Sequence, residues 1–195
     1  WLMIGLRDCY PDMQLYALVF QRNRETLDEL EIIDKENILT IRAESSTNFI
    51  RDSAKVVQQL RTIRVDAVID CELFARITSL FSFLSGAAIK AGFYSYTQEG
   101  LYRGNFLNAP VPYNPYLHIS KQFLNLAYAL EINTVPNAKH PAPVELFEIP
   151  KKCFTTAEIE GFTFRLFEEF PQMRERRLVL IYPSGGALPI RAWPL

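Results

Sequence analysis

Short, almost wholly apolar runs alternate along this chain with longer stretches in which apolar residues recur every three or four positions, and this alternation restricts the fold more than any single motif. Residues 14–20 (QLYALVF), 38–41, 65–69 (VDAVI) and 88–93 have the length and composition of strands. Between them, Leu27, Leu30 and Ile33 step by three. After a cap at Ser46 or Thr47, Ile50, Ala54, Val57, Leu60 and Ile63 step by three and four, and residues 75–84 form a further helical stretch stopped by Gly86. Strands too apolar to leave one face in water, each followed by a helix, require βαβ units. The predicted fold is therefore α/β: a Rossmann-like, largely parallel sheet with helices on both faces.

The remaining segments fit around that sheet. The apolar opening up to Tyr10-Pro11 reads as the last turns of a helix. Residues 95–117 mix prolines, glycines and aromatics without a steady period and are expected to form a long ordered loop, a feature usually tied to function. A helix is expected over 118–130, with Ile119, Phe123, Leu126, Ala127 and Leu130 on one face, and the proline-rich segment 133–150 ends it. Thr155 and Glu158 have capping-box spacing ahead of a helix whose buried stripe would be Ile159, Phe162, Leu166, Phe167 and Phe170. The apolar run 178–182 is expected to be a strand leading into the turn Pro183-Ser184-Gly185-Gly186. The division expected is a first domain over 1–171 and the start of a second over 172–195. Both ends fall inside recognisable elements, so each is expected to be a cut through a longer chain.

Charge and cysteine content narrow the function classes. The 21 Lys and Arg residues balance 22 Asp and Glu, so no bulk field draws in nucleic acid or anionic lipid, and such a partner would need a local patch. Cys9, Cys71 and Cys153 are odd in number, widely spaced and without a CxxC pair, which favours a reducing cytoplasm over a disulfide framework and offers no zinc site. No apolar run approaches the roughly 18 residues of a bilayer span, and no signal-peptide layout is present.

Few residues carry evident chemistry. Asp70 ends a strand, where open α/β sheets bind ligands; the same position also suits an acid that caps the next helix. Glu72 is near enough to pair with it or simply to complement the helix dipole. Arg76, just inside that helix, and Arg103, in the aromatic loop, can each fork onto a phosphate or carboxylate, or stand solvated. His118 and His140 are too isolated for a metal site, and His118 can equally open its helix. The Ser184-Gly185-Gly186 turn after an apolar run can cradle a phosphate with its amides, with Arg191 adding charge, although Gly-Gly is also an ordinary tight turn. No Walker loop, GxGxxG, nucleophile elbow or HExxH occurs.

Taken in order, these pieces resemble glycosyltransferase family 9, the family of the lipopolysaccharide heptosyltransferases. The resemblance is carried by Arg64-Val65-Asp66-Ala67-Val68-Ile69-Asp70 with Arg76 following, by Leu84-Ser85-Gly86-Ala87 and then Ala91-Gly92-Phe93, by Tyr113-Asn114 with His118, and by 178–182 with Pro183-Ser184-Gly185-Gly186 and Arg191-Ala192-Trp193-Pro194. It implies the N-terminal half of a GT-B architecture plus the first strand of the second domain. It also implies an inverting transfer, independent of metal or other cofactor, of a heptose-like sugar from an ADP-heptose-like nucleotide-sugar donor to a glycolipid acceptor of the lipopolysaccharide type. On this resemblance Asp70, Arg76, Arg103 and His118 would contact acceptor, and Ser184, Gly185, Gly186 and Arg191 the donor diphosphate. The family's catalytic base, an Asp in the first strand-to-helix turn, would lie upstream of Trp1, so no catalytic residue is assigned and this stretch by itself is expected to be inactive. Cys71-Glu72-Leu73 replaces the family's frequent Gln-Gly, and Arg191 stands where Lys is common. The expected location is the cytoplasm, at most in peripheral contact with the inner face of the inner membrane, with no nucleic-acid partner. The alternative reading is a Rossmann-like module that binds a sugar or phosphate and does no chemistry.

Overall fold

The computed structural model describes residues 2–73, 75–94, 104–131 and 153–181. They belong to two compact units, 1–150 and 151–195.

The first unit follows the alternation read from the sequence. Helix α1 (Leu2–Cys9) leads to strand β1 (Ala17–Phe20), helix α2 (Arg24–Leu30) and strand β2 (Ile38–Ile41). Helix α3 (Ser46–Ile63) crosses to strand β3 (Ala67–Asp70), and helix α4 (Arg76–Leu84) to strand β4 (Ile89–Tyr94). Strand β5 (Ala109–Pro112) and helix α5 (Ile119–Tyr128) complete it. All strand pairs are parallel, in two hydrogen-bonded groups: β1 with β2, and β3-β4-β5 with β4 in the middle.

Strand β5 lies inside the stretch expected to be loop. Its sequence, APVP, hides it, because each proline removes a ladder donor; at the end of a three-stranded order the missing N–H groups are tolerated. Asn108 helps set its register. Its side chain accepts from Lys90 N and donates to Ala88 O, both at 2.7 Å, and so imitates one more rung of ladder.

Two apolar clusters hold the unit together. Leu39 and Ile41 of β2, Val56 and Leu60 of α3 and Phe81 of α4 form one, with Leu18 and Phe20 of β1 packed against it. Ala91 and Phe93 of β4, Val111 of β5, and Leu126 and Ala129 at α5 form the other. Phe93 meets Tyr113 edge-on, with ring centroids 5.7 Å apart.

Helix α3 is capped one residue earlier than expected: Ser45 Oγ accepts from Asn48 N at 3.3 Å. Its buried stripe is also rotated. Val56 and Leu60 are sequestered with Phe49 and Val57 packed beside them, whereas Ile50, the first residue of the three-and-four series, is 67% exposed. The 3–4 periodicity defines an apolar face but cannot say which edge of it meets the sheet.

In the second unit, helix α6 (Thr156–Glu169) opens with the predicted capping box: Glu158 N donates to Thr155 Oγ1 at 3.3 Å and Thr155 N donates to Glu158 Oε2 at 2.8 Å. The stripe expected to be buried is not; Ile159 and Phe162 are exposed, and no α6 residue is buried among the described residues. Residues 178–181, expected to be strand, have no regular structure and expose all four apolar side chains. A strand exists only through its ladder, and among the described residues nothing pairs with this segment.

Candidate active site

In a parallel sheet every strand delivers its last side chain, and every following helix its N-terminus, to the same edge. Asp70 ends β3, Arg76 is the first residue of α4, and His118 caps α5. Three of the acceptor-side residues expected from the sequence therefore share the carboxyl edge of β3-β4-β5. Arg103, Ser184, Gly185, Gly186 and Arg191 lie outside the described residues.

Asp70 is buried, at 6% exposure, and its Oδ1 accepts from Glu72 N at 3.0 Å. This short turn fixes the carboxylate and directs the chain away from the sheet. Glu72 closes in the same way on Leu73 N through Oε1 at 3.0 Å. Both acids thus order the strand-to-helix turn. Register pairs Asp70 with Gly92 on β4, and Gly92 with Pro110 on β5, so the carboxylate stands about 10 Å across the sheet from β5 at the usual strand spacing.

Gly92 is the position that makes room. Ala91 and Phe93 turn toward the α5 cluster, so by the alternation of a strand position 92 faces the opposite side, with Asp70. A Cβ there would stand 3.3 Å from Asp70 Cβ and 2.6 Å from Leu107 Cδ1.

The far end of the edge is held by Gln122, whose role the sequence reading missed. Buried at 2% exposure on α5, it accepts from Asn114 N through Oε1 at 2.8 Å and donates from Nε2 to Leu117 O at 3.2 Å. Its two bonds pin the turn between β5 and α5. The only sequence signal was a polar residue near the apolar face made by Phe123 and Leu126. His118 Nδ1 sits 3.3 Å from Ser120 N, which donates to it, and 2.7 Å from Ser120 Oγ, so the ring closes the start of α5.

The edge is suited to holding an anion or a polyol. The N-termini of α4 and α5 bring positive potential to it, Arg76 adds an exposed cation, and Asp70 supplies a fixed acceptor. Beside it, burial of the Cys71 thiol, and secondarily the Asp70 charge, pushes the thiol up to about 12. Among the described residues no group of three or more His, Cys, Asp or Glu is gathered as for a metal ion, and no helix is long and apolar enough to cross a membrane.

No protein-family model matches the sequence, and no curated protein matches it. Among solved structures, the ADP-heptose lipopolysaccharide heptosyltransferase II of E. coli matches over 85% of this chain with a TM-score of 0.57. The fold is α/β and Rossmann-like, as in the matched part of that structure. Identity to that enzyme is 17%, and the match spans 45% of its length, so the likeness is one of fold.

Proposed function

We propose that this chain is the acceptor-side half of a glycosyltransferase that moves a heptose-like sugar from a nucleotide-sugar such as ADP-heptose to a lipopolysaccharide or related surface-glycan acceptor, with inversion and without metal. The observation that carries the reading is the fold likeness over 85% of the chain to a heptosyltransferase, at a sheet whose carboxyl edge holds Asp70, Arg76 and His118. In this reading residues 1–171 form the acceptor domain and 172–195 begin the donor domain, where Ser184, Gly185, Gly186 and Arg191 hold the diphosphate.

The division of labour follows from the chemistry. An inverting transfer needs an acceptor hydroxyl held in line with the anomeric carbon, a base to take its proton, and positive charge at the departing diphosphate. Asp70 is a positioning group here: its buried carboxylate accepts from acceptor hydroxyls, while Arg76 and the helix N-termini take the phosphates that decorate such glycans. The base is not assigned to any residue of this chain.

Titration calorimetry of the chain with a phosphorylated lipopolysaccharide-core oligosaccharide tests the reading. Binding is expected, and Asp70→Asn is expected to weaken it about tenfold, the value of one charge-assisted hydrogen bond. Absence of binding, or equal binding by Asp70→Asn, refutes it. Binding of sugar nucleotide alone, with no affinity for the oligosaccharide, favours the non-catalytic module.

A further inference from the structure

The turn between β5 and α5 is built more firmly than a connection requires, and what it carries is an aromatic ring in water. Asn114-Pro115-Tyr116-Leu117 is closed by Leu117 N donating to Asn114 O at 3.1 Å, with asparagine and proline at the positions a β-turn favours. Asn114 Oδ1 accepts from Tyr116 N at 2.9 Å, and the buried Gln122 side chain holds both ends of the turn, at Asn114 N and Leu117 O. Four hydrogen bonds and a proline ring thus fix the backbone around Tyr116. Its side chain is 95% exposed, the most of any large apolar residue among the described residues. Tyr113, three positions earlier, supplies the contrast: its ring packs edge-on against Phe93 at the α5 cluster.

A single exposed tyrosine on a loose loop is ordinary surface. On a turn pinned from beneath, the ring is preorganised, so little conformational entropy is lost when a ligand settles on it. Its place in the fold selects the ligand. The turn stands at the carboxyl edge of β3-β4-β5, two residues before His118. Of the residues that flank it, Asn114, His118 and Lys121 carry polar groups, Leu117 is half-buried and Ile119 is only 36% exposed. One ring among polar groups offers too little contiguous apolar area for a protein interface. It matches a pyranose, whose C–H face lies against an aromatic ring while its hydroxyls, on the rim, take hydrogen bonds.

We propose that Tyr116 is a stacking platform for a second sugar ring of the acceptor. Asp70 and the end of β5 lie two strand spacings apart, about 10 Å, which one pyranose does not bridge. The acceptor is then an oligosaccharide held at two rings, one by its hydroxyls at Asp70 and a neighbouring one by its face on Tyr116. The inference rests on the preceding reading for the site, and adds to it a specificity residue and a minimum acceptor length.

Titration of the 195-residue chain with the phosphorylated lipopolysaccharide-core oligosaccharide, followed by calorimetry and by NMR of the sugar protons, tests it. In the parent, C–H protons of one sugar ring should shift upfield on binding, the signature of a face held over an aromatic ring. Tyr116→Ala should lose that shift and bind about three- to tenfold more weakly, and the loss should persist at high salt because stacking carries no net charge. Tyr116→Phe should keep both, since the ring and not the hydroxyl is used. Neither change should move Tm, the side chain being in water. Asp70→Asn and Tyr116→Ala act on different rings, so their factors should multiply in the double variant. Unshifted sugar protons, a loss in Tyr116→Phe equal to that in Tyr116→Ala, or factors that do not multiply overturn the proposal. So does self-association abolished by Tyr116→Ala with sugar binding unchanged, which makes the ring a protein contact. Binding weakened by Asp70→Asn but not by Tyr116→Ala overturns the platform and leaves the acceptor site standing, whereas no binding by the parent overturns both.

Discussion

Gly92→Ala is the most informative single change in the first unit, because one added methyl group tests how closely β4 and Asp70 approach. The new Cβ would overlap Leu107 Cδ1 at 2.6 Å and press on Asp70 Cβ at 3.3 Å. Leu107 is half-buried and its methyl is the end of a flexible side chain, so it can swing aside at modest cost. Asp70 Cβ is tied to a paired strand and cannot. Overpacking of this kind costs about 1–3 kcal/mol, and the smaller backbone entropy of alanine in the unfolded chain returns about 0.4–1 kcal/mol. The net loss is then roughly 1–2 kcal/mol, or a fall in Tm of about 2–8 °C for a unit of this size. Thermal and urea unfolding followed by circular dichroism read it directly. Leu107→Ala supplies the control: with that side chain shortened, Gly92→Ala should lose only the Asp70 part, giving a coupling near 1 kcal/mol in the double-mutant cycle. Full stability of Gly92→Ala, or an equal loss in both backgrounds, would show that the contact is not what excludes a side chain there.

The Arg42–Asp52 pair predicts a pH dependence. Two side-chain bonds and a third from Arg42 N, at 3.0 Å, hold the Asp52 carboxyl well below the usual carboxylate range. A depressed native value means the contribution is complete above the ordinary carboxylate range, near pH 4, and is lost as pH falls toward the native value. The difference in Tm between the parent and Asp52→Asn should accordingly be constant from neutral pH to about pH 5 and shrink below pH 4; a difference independent of pH would contradict the assignment. Gln122→Leu should cost about 1–3 kcal/mol by leaving the Asn114 N–H without its partner, and hydrogen exchange should accelerate at that amide while the β3–β4 ladder keeps its protection. Unchanged exchange at Asn114 would mean that the turn is held by something other than Gln122.

Much of the first unit could be read from residues alone, because its elements are set by local rules. The apolar runs that became β1 to β4 need burial on both faces; in the second unit, likewise, the capping box at Thr155 closes on itself without tertiary help. Asp70 was legible as a strand-end acid because a parallel strand has only one place to put its last side chain. Strand β5 was not, since its prolines erase the local signal and only pairing with β4 makes it a strand. Gln122 escaped for a related reason: a polar residue in a helix is ordinary until the chain folds a turn with two unmet backbone groups over it.

Sequence periodicity, then, determined that α3 has an apolar face, that the strands run parallel, and where the edge carrying Asp70 lies. Only the tertiary structure decided which flank of α3 is buried, and that residues 178–181 have no ladder among the described residues. The physical reason is common to both cases. Amphipathicity and strand propensity state what a segment needs to bury, whereas the available partner is fixed by packing against residues far away in the chain.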